Sequence, residues 1–317
     1  MNIGSWRSRT RSALDPVVRR VGRRLPIVRA IVAEAEAARE AFRFAPPGHY
    51  YSPIPSPEQI RAGAERLSRA RPREIPGVEL NEERQLAILE HLKVFYRELP
   101  FTRTKTPGRR YFFENPAYSY SDAICLYGMI RHARPRRIIE VGSGYSSCVT
   151  LDTNELFFSN RIACTFIDPY PSLLRSLITS EDGDRVEILP SYLQEVDVTR
   201  FRELGENDIL FIDSTHVAKV GSDVNYIFFE ILPALRRGVY VHFHDVFHPF
   251  EYPAAWLYEG RVWTEAYLLR AFLSFNAAYE VVLYNTFLEY FHRAEFERHM
   301  PLCLENEGGS IWLRRTS

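Results

Sequence analysis

Four of the nine histidines in this 317-residue chain, His216, His242, His244 and His248, crowd into one stretch together with Asp213 and Asp245. Imidazole has an ordinary pKa near 6.5, so a placed histidine can take a proton from a hydroxyl at neutral pH. His216 and His244, with Asp245 beside them, are the candidates for that work. A second chemistry fits an overlapping set: Asp213, His244 and Asp245 as ligands of a divalent cation, which would lower a hydroxyl's pKa and fix its position. The third reading is structural, with His216 and His244 bonded to neighbouring loops and shaping a pocket. The residues alone leave all three open.

A different set suits a nucleoside ligand. Glu140-Val141-Gly142-Ser143-Gly144-Tyr145-Ser146-Ser147 is a glycine turn following an apolar run. Such a turn lets a ligand approach the backbone and presents helix N-terminal N–H groups. G-x-G alone is weak evidence. Position 147 is serine where the dinucleotide pattern has its third glycine, and Glu140 stands two residues before Gly142. An acid there disfavours a pyrophosphate and favours a ligand with sulfonium and ammonium charges, held directly or through water. Asp168 comes about 25 residues after the glycine loop, the distance at which a carboxylate accepts ribose hydroxyls. Its alternative role is to cap a turn at Asp168-Pro169.

Alternating strands and helices must carry these residues. Apolar runs at 137–141, 163–168, 185–189, 208–213 and 238–243 predict strands, with helices notably at 146–157 and 221–236. Two further strands fit at 279–284 and 310–313. Near-continuous apolar strands separated by helices predict a parallel sheet covered on both faces. Strand alternation puts His242 and His244 on one face and Phe243 on the other. The helix over 264–275, with Ala266, Leu269, Phe272, Leu273 and Phe275, reads as core. The loop Phe247–Pro253 is rich in aromatics and proline and reads either as a wall of the pocket or as packing.

The segments Glu140–Ser147, Phe166-Ile167-Asp168 and Leu210-Phe211-Ile212-Asp213-Ser214-Thr215-His216 resemble class I S-adenosylmethionine (SAM)-dependent methyltransferases. The nearest branch is bacterial, with I-D-G-x-H after the fourth strand and H-D after the fifth; Ser214 stands where it usually has glycine. The resemblance covers roughly residues 110–317. It implies an α/β, Rossmann-like, seven-stranded, mostly parallel sheet with helices on both faces. It implies a cofactor across Glu140, Gly142, Ser143, Gly144, Tyr145, Ser146, Ser147, Asp168 and Asp213, with Tyr120 and Asp122 of the approach segment over it. Related O-methyltransferases hold a divalent metal with acids at these two strand ends. They commonly have two adjacent acidic or amide ligands after strand five, whereas this chain has His244-Asp245. The expected reaction is methylation of a hydroxyl on a sugar or small secondary metabolite. The rivals are an NAD(P)-dependent Rossmann oxidoreductase and a non-catalytic SAM-fold scaffold.

Forty basic residues balance forty acidic ones, so no net charge draws the chain to nucleic acid, and no Asn/Asp-Pro-Pro-Tyr type motif lies in the catalytic loop. The charge is unevenly spread: the first thirty residues hold eight arginines and one acid, Asp15. Apolar residues there recur at helical spacing, which predicts a basic amphipathic segment over 1–45. It would lie on a membrane, on the protein's own body or on a second subunit. A proline-rich strap and helical cap region over 46–130, with Ser56–Gln59 as a capping box, precedes a SAM-binding catalytic domain over 131–317. Four scattered cysteines and the lack of an apolar signal core point to a reduced, cytoplasmic protein, peripheral contact with a membrane aside.

Overall fold

A computed structural model of the chain describes residues 44–69 and 71–317, without the side chains of 66–69, and isolated positions at 26, 27, 30, 33, 34 and 36. The basic stripe expected over 1–45 thus lies almost wholly outside the described residues. The chain divides into two compact units, residues 1–65 and 66–317.

In the first unit the proline-rich strap is closed by backbone bonds. Gly48 N–H donates to the Ile54 carbonyl at 2.8 Å and Ser52 N–H to that of His49 at 2.8 Å. Helix α1 (Pro57–Arg69) then opens on the expected capping box. Ser56 N–H donates to Gln59 Oε1 at 2.7 Å, and Gln59 N–H to Ser56 Oγ at 3.2 Å, satisfying two of the amides a helix start leaves unpaired.

The second unit is built on a seven-stranded sheet in the order β3-β2-β1-β4-β5-β7-β6. Its strands are β1 (Arg137–Val141), β2 (Ala163–Ile167), β3 (Glu187–Leu189), β4 (Ile209–Ile212), β5 (Tyr240–His244), β6 (Tyr279–Tyr284) and β7 (Ser310–Arg315). Strands β1 to β5 are parallel, and β7 runs antiparallel to both β5 and β6. All seven strands were expected, within a few residues at their ends. The central strands are buried on both faces: all four residues of β4 and all five of β5.

Helices α2 (Glu82–Tyr96), α3 (Tyr120–Ala133) and α4 (Tyr145–Phe158) lie together beside the sheet. Gly128 of α3 is needed for that closeness, since a Cβ there would stand 2.7 Å from Leu92 Cδ2. Gln85 of α2 closes the end of β6 by accepting the Tyr284 N–H at 2.9 Å. On the opposite face Phe228 stacks on Phe243 with centroids 5.5 Å apart.

Two helices differ in detail from expectation. The helix expected over 221–236 runs unbroken over residues 223–234, with one wider π-type turn at Ile227–Ile231. Pro233 has no N–H to donate back along the helix and its ring crowds the preceding turn, which accounts for the wider turn there. The helix at 264–275 is shorter (Glu265–Leu273, α5). Its Ala266, Leu269 and Leu273 are buried, but Phe275 is 94% exposed, because the chain turns there with φ +59 after the helix has ended.

Candidate active site

The sheet reverses its strand order between β1 and β4, so a crevice opens where their carboxyl ends diverge. The glycine loop and Asp213 both sit at that point. Gly142 has φ +79 and its N–H donates to the Ile167 carbonyl at 2.9 Å. A Cβ on it would stand 2.3 Å from the Asp213 carbonyl oxygen, so only glycine fits. Asp213 N–H in turn donates to the Val141 carbonyl at 2.9 Å.

Glu140 is fully buried beneath the loop. Its Oε1 accepts from Ser146 Oγ at 2.6 Å and Ser147 Oγ at 2.8 Å, while Gly144 N–H donates to Ser147 Oγ at 3.0 Å. Burial pushes the carboxyl up to about 8, against the pull of the two serine hydroxyls. Its Oε2 has no partner among the described residues, an orphaned buried acceptor beside the loop. Ser143 Oγ donates to Asp168 Oδ2 at 2.7 Å, joining the ends of β1 and β2. Asp168 Oδ1 accepts from Tyr170 N–H at 2.7 Å, so this residue also makes the turn bond that was its alternative role. Tyr145 is partly exposed, with its ring edge-on to Phe112 at 5.8 Å.

Tyr120 and Asp122 occupy the first turn of α3 and are buried. Tyr120 stacks on Phe113 at 4.8 Å. Asp122 accepts from Gly309 N–H at 3.1 Å and from Asn285 Nδ2 at 3.1 Å. These bonds tie α3 to the start of β7 rather than to the glycine loop.

The catalytic candidates converge from three elements. His216 lies on the loop after β4, with φ +60, and Asp245 follows β5, with φ +56. His216 Nε2 is 3.3 Å from Asp213 Oδ1 and 3.7 Å from Asp245 Oδ2, and His244 Nε2 is 3.5 Å from Asp245 Oδ1. Glu265, the first residue of α5, holds the other side of the ring: its Oε2 is 2.8 Å from His216 Nδ1, and its Oε1 accepts from Ser214 Oγ at 2.8 Å. Ser214, the departure from the family's glycine, is therefore used. Sequence reasoning missed Glu265, because an acid in the first turn of a helix is ordinary helix chemistry.

The electrostatics follow from this geometry. Burial alone would lower His216, but Asp213 and Glu265 overcome it and raise the ring to about 10, so it is an imidazolium at neutral pH. Burial would raise Asp213, yet the nearby His244 and His216 hold it below the ordinary value. Asp245 is raised by burial, with His244 and His216 opposing.

Two of the four crowded histidines do not join the cluster. His242 is fully buried between Phe211 and Trp312 at 4.1 and 4.7 Å, and burial keeps it well below its ordinary pKa, hence neutral. It does share a strand face with His244, as expected, the rings being 6.0 Å apart. His248 has turned away to the Pro72 carbonyl at 2.7 Å. The metal-compatible trio also differs from the expected one. Ligand atoms of Asp213, His216 and Asp245 lie within 4.8 Å of one another, so His216 takes the place expected for His244.

A methyltransferase-domain family model matches residues 139–246, from the middle of β1 to just past Asp245. An uncharacterized protein of Archaeoglobus fulgidus is 35% identical over 176 residues, covering 54% of this chain and 78% of that protein. Residues 139–246 of the chain are thus a methyltransferase domain. Among solved structures, the SAH-bound methyltransferase PaMTH1 of Podospora anserina is 15% identical, covering 83% of this chain and 97% of that one, with a TM-score of 0.40. The O-methyltransferase TomG of Streptomyces achromogenes, solved with SAM, is 16% identical, covering 76% and 92%, with a TM-score of 0.41. Similarity that distant carries nothing about the acceptor of the present methyltransferase. Its matched segment holds the glycine loop, Asp168, Asp213, His216, His244 and Asp245, but stops short of Glu265.

Proposed function

We propose that this methyltransferase binds SAM across the ends of β1, β2 and β4 and methylates a hydroxyl of a small molecule. The observation that supports it best is the convergence of Asp213, His216 and Asp245 beside a glycine turn that only Gly142 can make. The residues present fit the cofactor: the turn leaves backbone open to a ligand, Glu140 Oε2 is a buried polar atom without a partner beneath it, and Ser143 and Asp168 offer ribose partners. SAM supplies an electrophilic methyl group. The chain's own contribution is alignment and proton management. A cationic His216 cannot accept a proton; it holds Asp213 and Asp245 facing one another. Asp245, with its raised pKa, is then the better-matched proton acceptor, with His244 behind it. The catalytic unit on this reading spans residues 66–317, since α2 and α3 pack into the same core as the sheet.

Binding decides between this function and its rivals. S-adenosylhomocysteine (SAH) at 100 times its Kd should stabilise the protein by about 2.7 kcal/mol, a rise in Tm on the order of 4–5 °C, and NADH should not. Stabilisation by NADH alone would sink the proposal in favour of the oxidoreductase. Retention of SAM binding in both Asp168→Ala and Asp213→Ala would favour the scaffold.

A metal-dependent variant of the same function is supported by the Asp213, His216 and Asp245 trio, in which Glu265 orients the histidine as a carboxylate does behind a metal-bound imidazole. Turnover that survives extensive chelation would remove it.

A further inference from the structure

We propose that the amino edge of the sheet, at the opposite ends of the strands from the crevice, docks on an anionic lipid bilayer, with a row of arginines against the headgroups and Phe275 as an apolar anchor. The chain enters β1 through Arg134, Arg136 and Arg137, β2 through Arg161, and β5 through Arg236 and Arg237. All six are exposed. Backbone bonds hold the row together. Ala163 N–H donates to the Arg136 carbonyl at 2.9 Å, and Gly238 N–H, beside Arg237, donates to the Arg315 carbonyl at 2.8 Å. At roughly 4.8 Å per strand, the row from β2 to β7 spans about 20 Å.

This concentration of charge runs against the unit that carries it. Residues 66–317 hold 29 basic and 34 acidic side chains, an excess of acid. Yet among the described residues none of the six arginines has a carboxylate within ion-pair distance. Those with a neighbour meet neutral groups. Arg134 lies over the Phe158 ring at 5.7 Å, Arg161 Nε donates to the Phe158 carbonyl at 3.0 Å, and Arg137 Nη1 donates to the Glu203 carbonyl at 3.5 Å. The acids at this edge are engaged elsewhere. Asp208 is buried, and its carboxylate accepts from the N–H groups of Arg136, Arg137 and Gly205, each at 2.9 Å. Glu206 pairs with Arg314 at 3.2 Å, which leaves the exposed Glu203 against six cations. Burial first, then His91, Arg314 and Arg84, hold His132 at the same edge below its ordinary pKa, as a positive field does.

Phe275 supplies what a purely electrostatic surface lacks. It is 94% exposed in the turn between α5 and β6, and its N–H is tied to the Gly77 carbonyl at 2.7 Å. That turn adjoins the arginine row, because Thr316, next to Arg315, donates to the carbonyls of Ala277 and Ala278 at 2.6 and 2.9 Å. A bilayer takes both features: phosphates match guanidinium groups, and the headgroup boundary accepts an exposed ring. A single-stranded nucleic acid is held by rings set along a basic groove to stack its bases, whereas Phe275 stands at one end of the row. Membrane association also takes two signals to be stable. The first thirty residues, with eight arginines and one acid, carry a second of the same sign. Docking on the amino edge leaves the crevice, at the carboxyl ends of the same strands, open to water.

The test is sedimentation of the full chain with vesicles of phosphatidylcholine alone and of an equal mixture with phosphatidylglycerol. Binding should be confined to the anionic vesicles and should fall as salt is added. Each cation at an anionic surface is worth roughly fivefold in partitioning, so Arg136→Gln/Arg137→Gln/Arg236→Gln/Arg237→Gln should weaken binding about tenfold or more. Phe275→Ser should weaken it roughly threefold or more. All five positions are exposed, so the urea midpoint should stay at the wild-type value in both variants. Were the fourfold variant not to fold, Arg236→Gln/Arg237→Gln decides in its place. No sedimentation with anionic vesicles, equal sedimentation with both kinds, or wild-type binding in either variant overturns the inference. So does a single-stranded oligonucleotide that binds more tightly than the anionic vesicles and is lost in the fourfold variant, which would assign the edge to nucleic acid. None of these outcomes bears on the methyltransferase reading.

Discussion

At the scale of single residues, the site is a set of charges whose states depend on one another. Asp245→Asn removes the proposed proton acceptor and keeps a residue that tolerates φ +56. Turnover should fall by about 10²–10⁴-fold with SAH affinity unchanged; an equal loss of SAH binding would mean that Asp245 is structural. Gly142→Ala should weaken SAH at least tenfold in a binding titration, because its Cβ would lie 2.3 Å from the Asp213 carbonyl. The pH dependence of stability is set in part by Glu140 and by Glu289, a buried acid beside Ser121 and Gly308 that burial also raises to about 8. Both stand above the unfolded value of 4.5. The native state therefore holds protons that the unfolded chain has released. Their stabilising contribution is full below about pH 4.5 and is lost as pH rises through about 8. In urea titrations, the loss of unfolding free energy between pH 5 and 8.5 should be smaller in Glu140→Gln/Glu289→Gln, by up to about 4 kcal/mol for each carboxyl replaced. An unchanged slope would mean that these carboxyls are ionised in the native protein.

At the scale of elements, the segment before α3 is held to the sheet's helical layer by one arginine. Buried Arg110 donates through Nη1 to Asp152 at 2.7 Å, through Nε to Asp182 at 2.8 Å and through Nη2 to Glu155 at 2.8 Å. Asp152 also accepts the backbone N–H groups of Arg110 and Tyr111, at 3.0 and 2.9 Å through Oδ2. Arg110→Ala would leave two buried carboxylates without their cation and should destabilise by about 3–5 kcal/mol, read as a fall in the urea midpoint. A loss below about 1 kcal/mol would show that water replaces the guanidinium. Nothing in the sequence pattern flagged Arg110, because Asp152, Glu155 and Asp182 meet it only after α4 is laid against the sheet. Strands were legible for the opposite reason. A strand buried on both faces must be apolar nearly throughout, so β1, β4 and β5 showed in composition alone.

At the scale of the whole molecule, the order of the sheet is what turns separate motifs into a site. Residues 140–147, 168 and 213 were legible as candidates for a ligand site because a glycine turn and strand-end acids are local chemistry, encoded within a few residues. The sequence by itself also determined the mostly parallel sheet, its covered faces and the methyltransferase domain over residues 139–246. Only the tertiary structure decided which histidines matter, since strand direction and loop path, not proximity in sequence, place an imidazole. His242 went into the core, His248 to the Pro72 carbonyl, and His216 between Asp213 and Glu265. It alone brought Glu265 of α5 to His216, 49 residues away along the chain.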